Sequence, residues 1–487
     1  MRFLEYAAEA FILVPLAAII LNNICPKRFM EKNFHVLSAA AAVLQMIAAA
    51  SAFCLMDVNR IPRYDFSVLP AFKMHSADHF SMSPVSLIFL FCIGMVVFVS
   101  VMTAIRTIDS KKSSYVNLLM TLLVSMNGMI LVNDLFSLYV FLDVVGISSF
   151  VMIAMFQSRK GLEGSIKYLV ISQLASIFIL AGLAFVFMKT GSLAYKDVGS
   201  VLLEDKSDPQ TLLMYVALIL MITGAAVKTG VVPFHSWLPD AHQSADTAIS
   251  ILLSGIVIKI AGVYSFIVLT DLFKDVRAIQ ISLAAIGMVS IVVGALLALR
   301  QNHFKRIMAY SSVSQMGYIL LGLSTGSTLG LIGAIAHVFS HAVFKSTLFT
   351  NAAALHEQTG TLDINEMGGL QGRMPVTSFS SMIAFLSTAG IPPFAGFWSK
   401  LLIIMALWGA GNHILAGCAL CASILTAAYF LRIQRKVFFG PLPEHLSSVT
   451  EISGSIKFVE ILLTVLTSIV GILFPLILVM LQSRGLI

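Results

Sequence analysis

The chain has 487 residues, 58% of them hydrophobic and only 11% charged, with a formal net charge of +7. A soluble protein carries about a quarter charged residues, so the composition excludes a soluble globular domain. The positive balance then bears on which loops hold the lysines and arginines, not on nucleic-acid binding.

Apolar runs of roughly 18–25 residues recur from end to end, the length of a membrane-spanning helix. The first, about residues 7–24, has no small-residue cleavage site before Pro26 and reads as a spanning helix, not a removed signal peptide. The fold class expected is an all-α polytopic membrane protein of about 14 transmembrane helices. They fall near 4–24, 34–56, 83–105, 114–132, 134–156, 165–188, 212–235, 244–270, 278–299, 306–323, 329–355, 377–407, 411–436 and 458–481. The longest polar excursions are 57–82 and 189–210, and no break in composition marks a soluble domain.

Cys25, Cys54, Cys92, Cys418 and Cys421 are the five cysteines. Cys418 and Cys421 have redox or metal spacing, but they lie in an apolar helix without a second pair, which suits small apolar packing. No glycine-rich nucleotide loop or iron–sulfur cysteine set occurs. Neither a metal nor a cofactor of its own is expected for the chain.

Loops of odd number hold Lys27, Arg28, Lys32, Arg106, Lys111, Lys112, Arg159, Lys160, Arg300, Lys305, Arg306, Arg373, Arg432, Arg435, Lys436 and Lys457. Loops of even number hold Arg60, Arg63, Lys73, Lys189, Lys196, Lys206, Lys274 and Arg277. Basic residues favour the cytoplasmic side, so this bias predicts odd loops inside and both termini outside the cytoplasm.

Two spans are interrupted. In the seventh, Lys228-Thr-Gly-Val-Val-Pro233 breaks an apolar run before His235, Pro239, Asp240 and His242; a second buried lysine, Lys259, follows. In the twelfth, Gly390-Ile-Pro392-Pro393 leads to Gly396 and Lys400. A lysine at a helix centre costs about 2.5–3.5 kcal/mol on the lenient insertion scale. Backbone freed at Pro233 needs partners that lipid cannot give. Such segments persist where protein shields them or where they line a wet cavity. Spans four to eight and nine to thirteen then read as two five-helix repeats, each broken in its fourth helix. Five being odd, the repeats are inverted. The organisation expected is 1–113 for the N-terminal helices, 114–270 and 278–436 for the repeats, and 458–481 for the last helix, in one membrane domain. Ordinary proline kinks are the plainer alternative.

The ionisable residues expected inside the membrane are Asp143, Lys167, Lys228, His235, Lys259, His337, His341, Lys345 and Lys400. An unpaired carboxylate at Asp143 would be neutral or need a cation, for which Lys228 is the candidate. Burial disfavours the lysine's charge and a nearby carboxylate favours it, so a lysine between the two can load and release a proton. A static salt bridge tying two helices together is the alternative. His337, His341 and Lys345 stand at i, i+4 and i+8 and so are expected to stack on one helix face, as a proton relay would need.

Several stretches resemble one family in order along about 117–440. They are Lys228 through Pro233-Phe-His to Trp237-Leu-Pro-Asp-Ala-His242, Leu253-Ser-Gly with Lys259, Lys305-Arg306 with Ala309-Tyr-Ser-Ser and Gln315-Met-Gly, His337–His341–Lys345, and Gly390-Ile-Pro-Pro with Gly396-Phe-Trp-Ser-Lys400. This resembles the antiporter-like membrane subunits of complex I, of membrane-bound NiFe hydrogenases and of Mrp-type cation/proton antiporters. The resemblance implies 14 helices with inverted repeats and a central polar axis. It implies that Lys228 serves as the lysine of the first half-channel, Lys259 as the bridging lysine and Lys400 as that of the second, where some relatives carry glutamate. Two departures stand out: Asp143 replaces the usual glutamate, and Asp246 replaces the usual proline before Thr247.

The function expected is that of an ion-translocating subunit, for proton or sodium, of a redox-driven complex. Its partners would be further antiporter-like subunits, a peripheral redox arm and the bilayer of the cell membrane, with no nucleic acid. The alternatives are a Mrp-type sodium/proton antiporter subunit without a redox partner, a structural membrane anchor, and a carrier of organic solutes.

Overall fold

A computed structural model describes residues 2–55, 82–201, 211–273 and 276–483. Most of the two long polar loops, with Arg60, Arg63, Lys73 and Lys206, lies outside the described residues, as does Lys274 in the connection before residue 276. Everything described is helix or connection, apart from two isolated bridges, Asp134–Ala194 and His303–Asp363. The helices are α1 (Arg2–Ile24), α2 (Lys27–Leu55), α3 (Pro84–Thr107), α4 (Lys112–Leu131), α5 (Leu135–Ala154), α6 (Arg159–Thr190), α7 (Tyr195–Val201), α8 (Thr211–Thr229) and α9 (Trp237–Ser244). They continue with α10 (Thr247–Leu252), α11 (Ser265–Leu272), α12 (Arg277–Arg300), α13 (Phe304–Ser324), α14 (Thr328–Thr359), α15 (Pro375–Ala389), α16 (Ala395–Gly409), α17 (His413–Ile433) and α18 (Ser455–Ser483).

Eleven helical segments among the described residues are long and apolar enough to cross a membrane. With α1, the more polar α13 and the broken α15–α16 pair, the described residues hold the fourteen spans expected. The seventh and twelfth are discontinuous: α8 stops at Thr229 and α15 at Ala389. Gly230 and Gly390 follow with φ of +70° and +83°, the left-handed region that favours glycine.

The eighth span departs from a plain α-helix. Between α10 and α11 it widens into π-helical turns at Leu253–Val257 and Lys259–Tyr264. Such bulges gather at functional sites. Residues 247–269 of this span are all buried, as a helix apolar all round should be.

The chain divides into two compact units. The first comprises Met1–Phe98, Ser110–Gly230 and Val257–Ser282; the second comprises Val99–Asp109, Val231–Ile256 and Leu283–Ile487. In the first, α6 and α8 lie close because both carry glycine at the contact. A Cβ on Gly182 would come within 2.9 Å of Ala217 O, and one on Gly224 within 2.8 Å of Ala175 O. With lipid as solvent, small residues at the contact supply the packing that holds helices together. Buried amides add specificity: Gln45 and Asn127 bond reciprocally at 2.8 and 2.9 Å, and their second hydrogens reach Leu90 O and Phe11 O. In the second unit, Gly287 and Gly317 do for α12 and α13 what the glycines of α6 and α8 do in the first.

Candidate functional site

The first unit places Lys228 in the last turn of α8, 3% exposed. Its ammonium donates to Ser172 Oγ of α6 at 2.8 Å. One turn further along α6, Ser176 Oγ donates to Asp143 Oδ1 of α5 at 2.7 Å, and Gln173 Nε2 lies 3.4 Å from the same oxygen. Asp143 and Lys228 therefore form no direct ion pair; two serines of one helix join them. Room for the ammonium comes from Gly146, where a Cβ would sit 3.2 Å from Lys228 Nζ and 3.0 Å from Ser172 Oγ. Neither serine stood among the sequence candidates. Their signal was present in the spacing of Ser165, Ser172 and Ser176, seven and four residues apart on α6.

Lys259 opens the second π-helical turn, fully buried, with Cys92 of α3 within electrostatic reach. Three residues on, Gly262 lets this segment close on Thr229 at the end of α8, where a side chain would collide. Lys167 proves different from expectation. It sits early in α6, 46% exposed, paired with Glu163 at 2.8 Å as an i, i+4 salt bridge, and so belongs to no buried axis.

The second unit holds the remaining groups. Half-buried His235 lies against Tyr310, rings 6.1 Å apart. His242 is fully buried and stacked on Phe349 at 4.8 Å, with Lys305 and Lys345 within electrostatic reach and no hydrogen-bond partner for either ring nitrogen. Arg306 fixes α9 through Asp240 at 2.7 Å and Gln243 at 2.9 Å. Lys305 Nζ donates to Ala245 O at 2.9 Å, at the chain reversal before α10.

His337, His341 and Lys345 do not keep to one face. Eight residues along an α-helix turn the direction by about 80°, and the contacts follow. His337 Nδ1 lies 2.9 Å from Ser399 Oγ of α16, whereas Lys345 Nζ donates to Met308 O of α13 at 2.8 Å and to Ser311 Oγ. His341 stands between them, its ring 6.4 Å from that of His337. The row winds round α14 from α16 to α13. Lys400, 3% exposed, donates to Thr388 O at 2.8 Å, a carbonyl freed by the break at Gly390, and lies 4.3 Å over the Tyr318 ring. Pro233, Pro392 and Pro393 sit at the breaks themselves; each break also carries a cis proline bond, Val232–Pro233 and Pro392–Pro393.

Each unit thus holds a buried amine, Lys228 in the first and Lys400 in the second, that ends on a hydroxyl or a carbonyl and not on a carboxylate. Residues 132–426, more than half of the chain, match the family described as NADH:quinone oxidoreductase/Mrp antiporter, TM. The chain belongs to this family. It is 32% identical over 320 residues to the N subunit of the NADH-quinone oxidoreductase of Desulforudis audaxviator, covering 65% of this chain and 63% of that relative's length. With the D-type chain of the Na(+)/H(+) antiporter of Alkalihalophilus pseudofirmus it shares 33% identity over 69% of this chain and 68% of the relative. A subunit in the structure of the membrane-bound sulfane sulfur reductase, an archaeal respiratory membrane complex, superposes with a TM-score of 0.84. It is 28% identical, covering 98% of this chain and 96% of that one. The chain is accordingly an antiporter-like, multi-span membrane subunit.

Proposed function

We propose that this family member translocates ions, protons or sodium, as a membrane subunit of a redox-driven complex of the complex I or energy-converting hydrogenase type. The observation that carries the reading is Lys228, buried at a helix break with a serine as its direct partner. A buried charge without an ion-pair partner costs stability, and ionisable groups at membrane depth mark ion paths. A structural anchor would have no use for it.

The repeats are 114–270, with Asp143, Lys228 and Lys259, and 278–436, with His337, His341, Lys345 and Lys400; His235 sits at the first break. Electron transfer in partner subunits shifts Asp143 relative to Lys228, which changes the cost of charging the lysine. Lys259 then relays within the first unit, and the histidines and Lys345 within the second, ending at Lys400. The helix that bears Lys259 is a covalent link, since the chain passes from one unit to the other between Ile256 and Val257. Buried polar atoms without protein partners, as on His242 and Ser346, suit water as the filler. Partner subunits would include further antiporter-like chains and a peripheral redox arm, and both termini would lie outside the cytoplasm.

The test is to purify the chain with its partners in mild detergent and identify them, then measure ion uptake by the reconstituted complex. Co-purifying redox subunits and loss of uptake in Lys228→Ala are expected. Wild-type uptake in Lys228→Ala would overturn the reading. Membrane partners alone would favour a Mrp-type antiporter, which the similarity to the sodium/proton antiporter of Alkalihalophilus pseudofirmus also supports.

A further inference from the structure

One buried acid stands apart from the axis of lysines and histidines. Glu460, in the second turn of α18, is fully buried. Among the described residues no ammonium or guanidinium pairs with it; Lys457, a turn earlier on α18, is only within electrostatic reach. Two neutral groups from other helices meet its carboxyl instead. The Asn351 amide of α14, oriented so that its nitrogen meets acceptors, donates to Glu460 Oε1 at 2.8 Å and to Thr347 O at 3.1 Å. The hydroxyl of Thr377, in the first turn of α15, lies 3.1 Å from Glu460 Oε2 and 2.9 Å from Glu451 Oε1.

That hydroxyl has a single hydrogen to give. With both acids ionised, one of its two carboxylate contacts would lack a hydrogen, and Glu460 would be an anion without a cation in an apolar interior, which is costly. One added proton satisfies both contacts: Glu460 O–H donates to Thr377 Oγ, and Thr377 O–H donates to Glu451. Glu451 already accepts hydrogens from elsewhere. It is half-exposed and also accepts the backbone N–H groups of Val376, at 2.5 Å, and Ile452, at 3.2 Å, the first of them at the N-terminus of α15. The proton therefore belongs to Glu460.

We propose that Glu460 is a proton-carrying station of the second unit, held by the Asn351 amide and exchanging its proton through the Thr377 hydroxyl at the end where α15 begins. Asn351 is on the helix that bears His337, His341 and Lys345, and α18 also packs on α16, which bears Lys400. The acid thus extends the buried polar set of that unit towards the loops at 360–374 and 440–454. This inference rests on the ion-translocating role proposed above.

The experiment uses the whole complex, purified and reconstituted in vesicles, in wild type, Glu460→Gln, Glu460→Asp and Lys228→Ala. Infrared difference spectra read the carbonyl stretch of a protonated, buried carboxylic acid, and a pH-sensitive dye reads proton uptake. The band is expected in wild type at neutral pH, absent in Glu460→Gln and shifted in Glu460→Asp. Uptake should fall about a hundredfold in Glu460→Gln, the low end of what a positioned proton donor contributes, with part regained in Glu460→Asp. A wild-type spectrum without the band, or one that Glu460→Gln leaves unchanged, would overturn the inference even if the variants fold poorly. Uptake lost in Lys228→Ala but normal in Glu460→Gln would overturn this inference alone. Normal uptake in Lys228→Ala would sink the translocating role, and this station with it.

Discussion

Lys228 and Asp143 are joined through one turn of α6, the lysine on Ser172 and the aspartate on Ser176. Aspartate is one methylene shorter than the glutamate expected here from the resemblance, and the serines bridge what the shorter arm leaves open. The pair can then be strengthened or weakened by small movements of α6 against α5 and α8, without either side chain changing rotamer. Ser172→Ala should leave the charged ammonium without its direct acceptor, at a cost of about 1–3 kcal/mol to the charged form. Ion uptake by the reconstituted complex should drop while assembly is unchanged. Asp143→Glu, able to reach further, should restore uptake in the Ser172→Ala background; failure to restore would show that the serine acts in its own right.

Gly146 makes the pocket for the ammonium, and its replacement gives a test that removes no charge. In Gly146→Ala the new methyl carbon would sit 3.2 Å from Lys228 Nζ and 3.0 Å from Ser172 Oγ. The lysine must shift by a few tenths of an ångström, and uptake should fall with little loss of thermal stability. Normal uptake in this variant would mean that the position of the ammonium is not critical.

Lys400 combines two jobs that a substitution can separate. It donates to Thr388 O, a carbonyl that the helix break deprives of its usual partner, and it supplies a titratable group. Lys400→Met should lose both, unfolding earlier by about 1–3 kcal/mol and transporting slowly. Lys400→Glu, the residue some relatives carry, should keep a share of transport yet unfold as early, because a carboxylate has no hydrogen for Thr388 O. Thermal unfolding in detergent and uptake in vesicles read the two effects apart. Equal losses of transport in both variants would contradict the titratable role.

Much of this arrangement was legible in the sequence, and the reasons differ from residue to residue. Most of the fourteen spans follow from apolar length, the more polar α13 and the broken α15–α16 pair less plainly so, and the breaks follow from Pro233 and the Gly390–Pro393 stretch. Lys228, Lys259 and Lys400 stood out because each interrupts an apolar run. Lys167 misled because the same criterion ignores its position near a helix end, where Glu163 meets it on an exposed face. Glu460 was passed over as one acid in the last span, since its significance depends on Asn351 and Thr377, more than eighty positions away in the chain. The π-helical turns at Leu253–Val257 and Lys259–Tyr264 have no local signature either. They belong to how Gly262 closes on Thr229, a contact that only the folded chain defines.

Asp246 is the departure from the family whose meaning the structure changes most. As an extra acid beside the first break it could favour a cation. Its geometry is that of a helix cap instead: Oδ1 accepts the N–H of Ala248 at 2.8 Å and the hydroxyl of Thr107 at 2.9 Å. Asparagine offers the same acceptor oxygen without the charge and caps helices as well. Asp246→Asn should therefore keep the cap and the ratio of proton to sodium transport, while losing stability to the extent that buried Lys305, within electrostatic reach, needs the negative charge. Asp246→Ala should cost about 0.5–2 kcal/mol of stability without changing that ratio. If Asp246→Asn alters sodium dependence while stability holds, the negative charge itself serves the ion path and capping is the lesser of its roles.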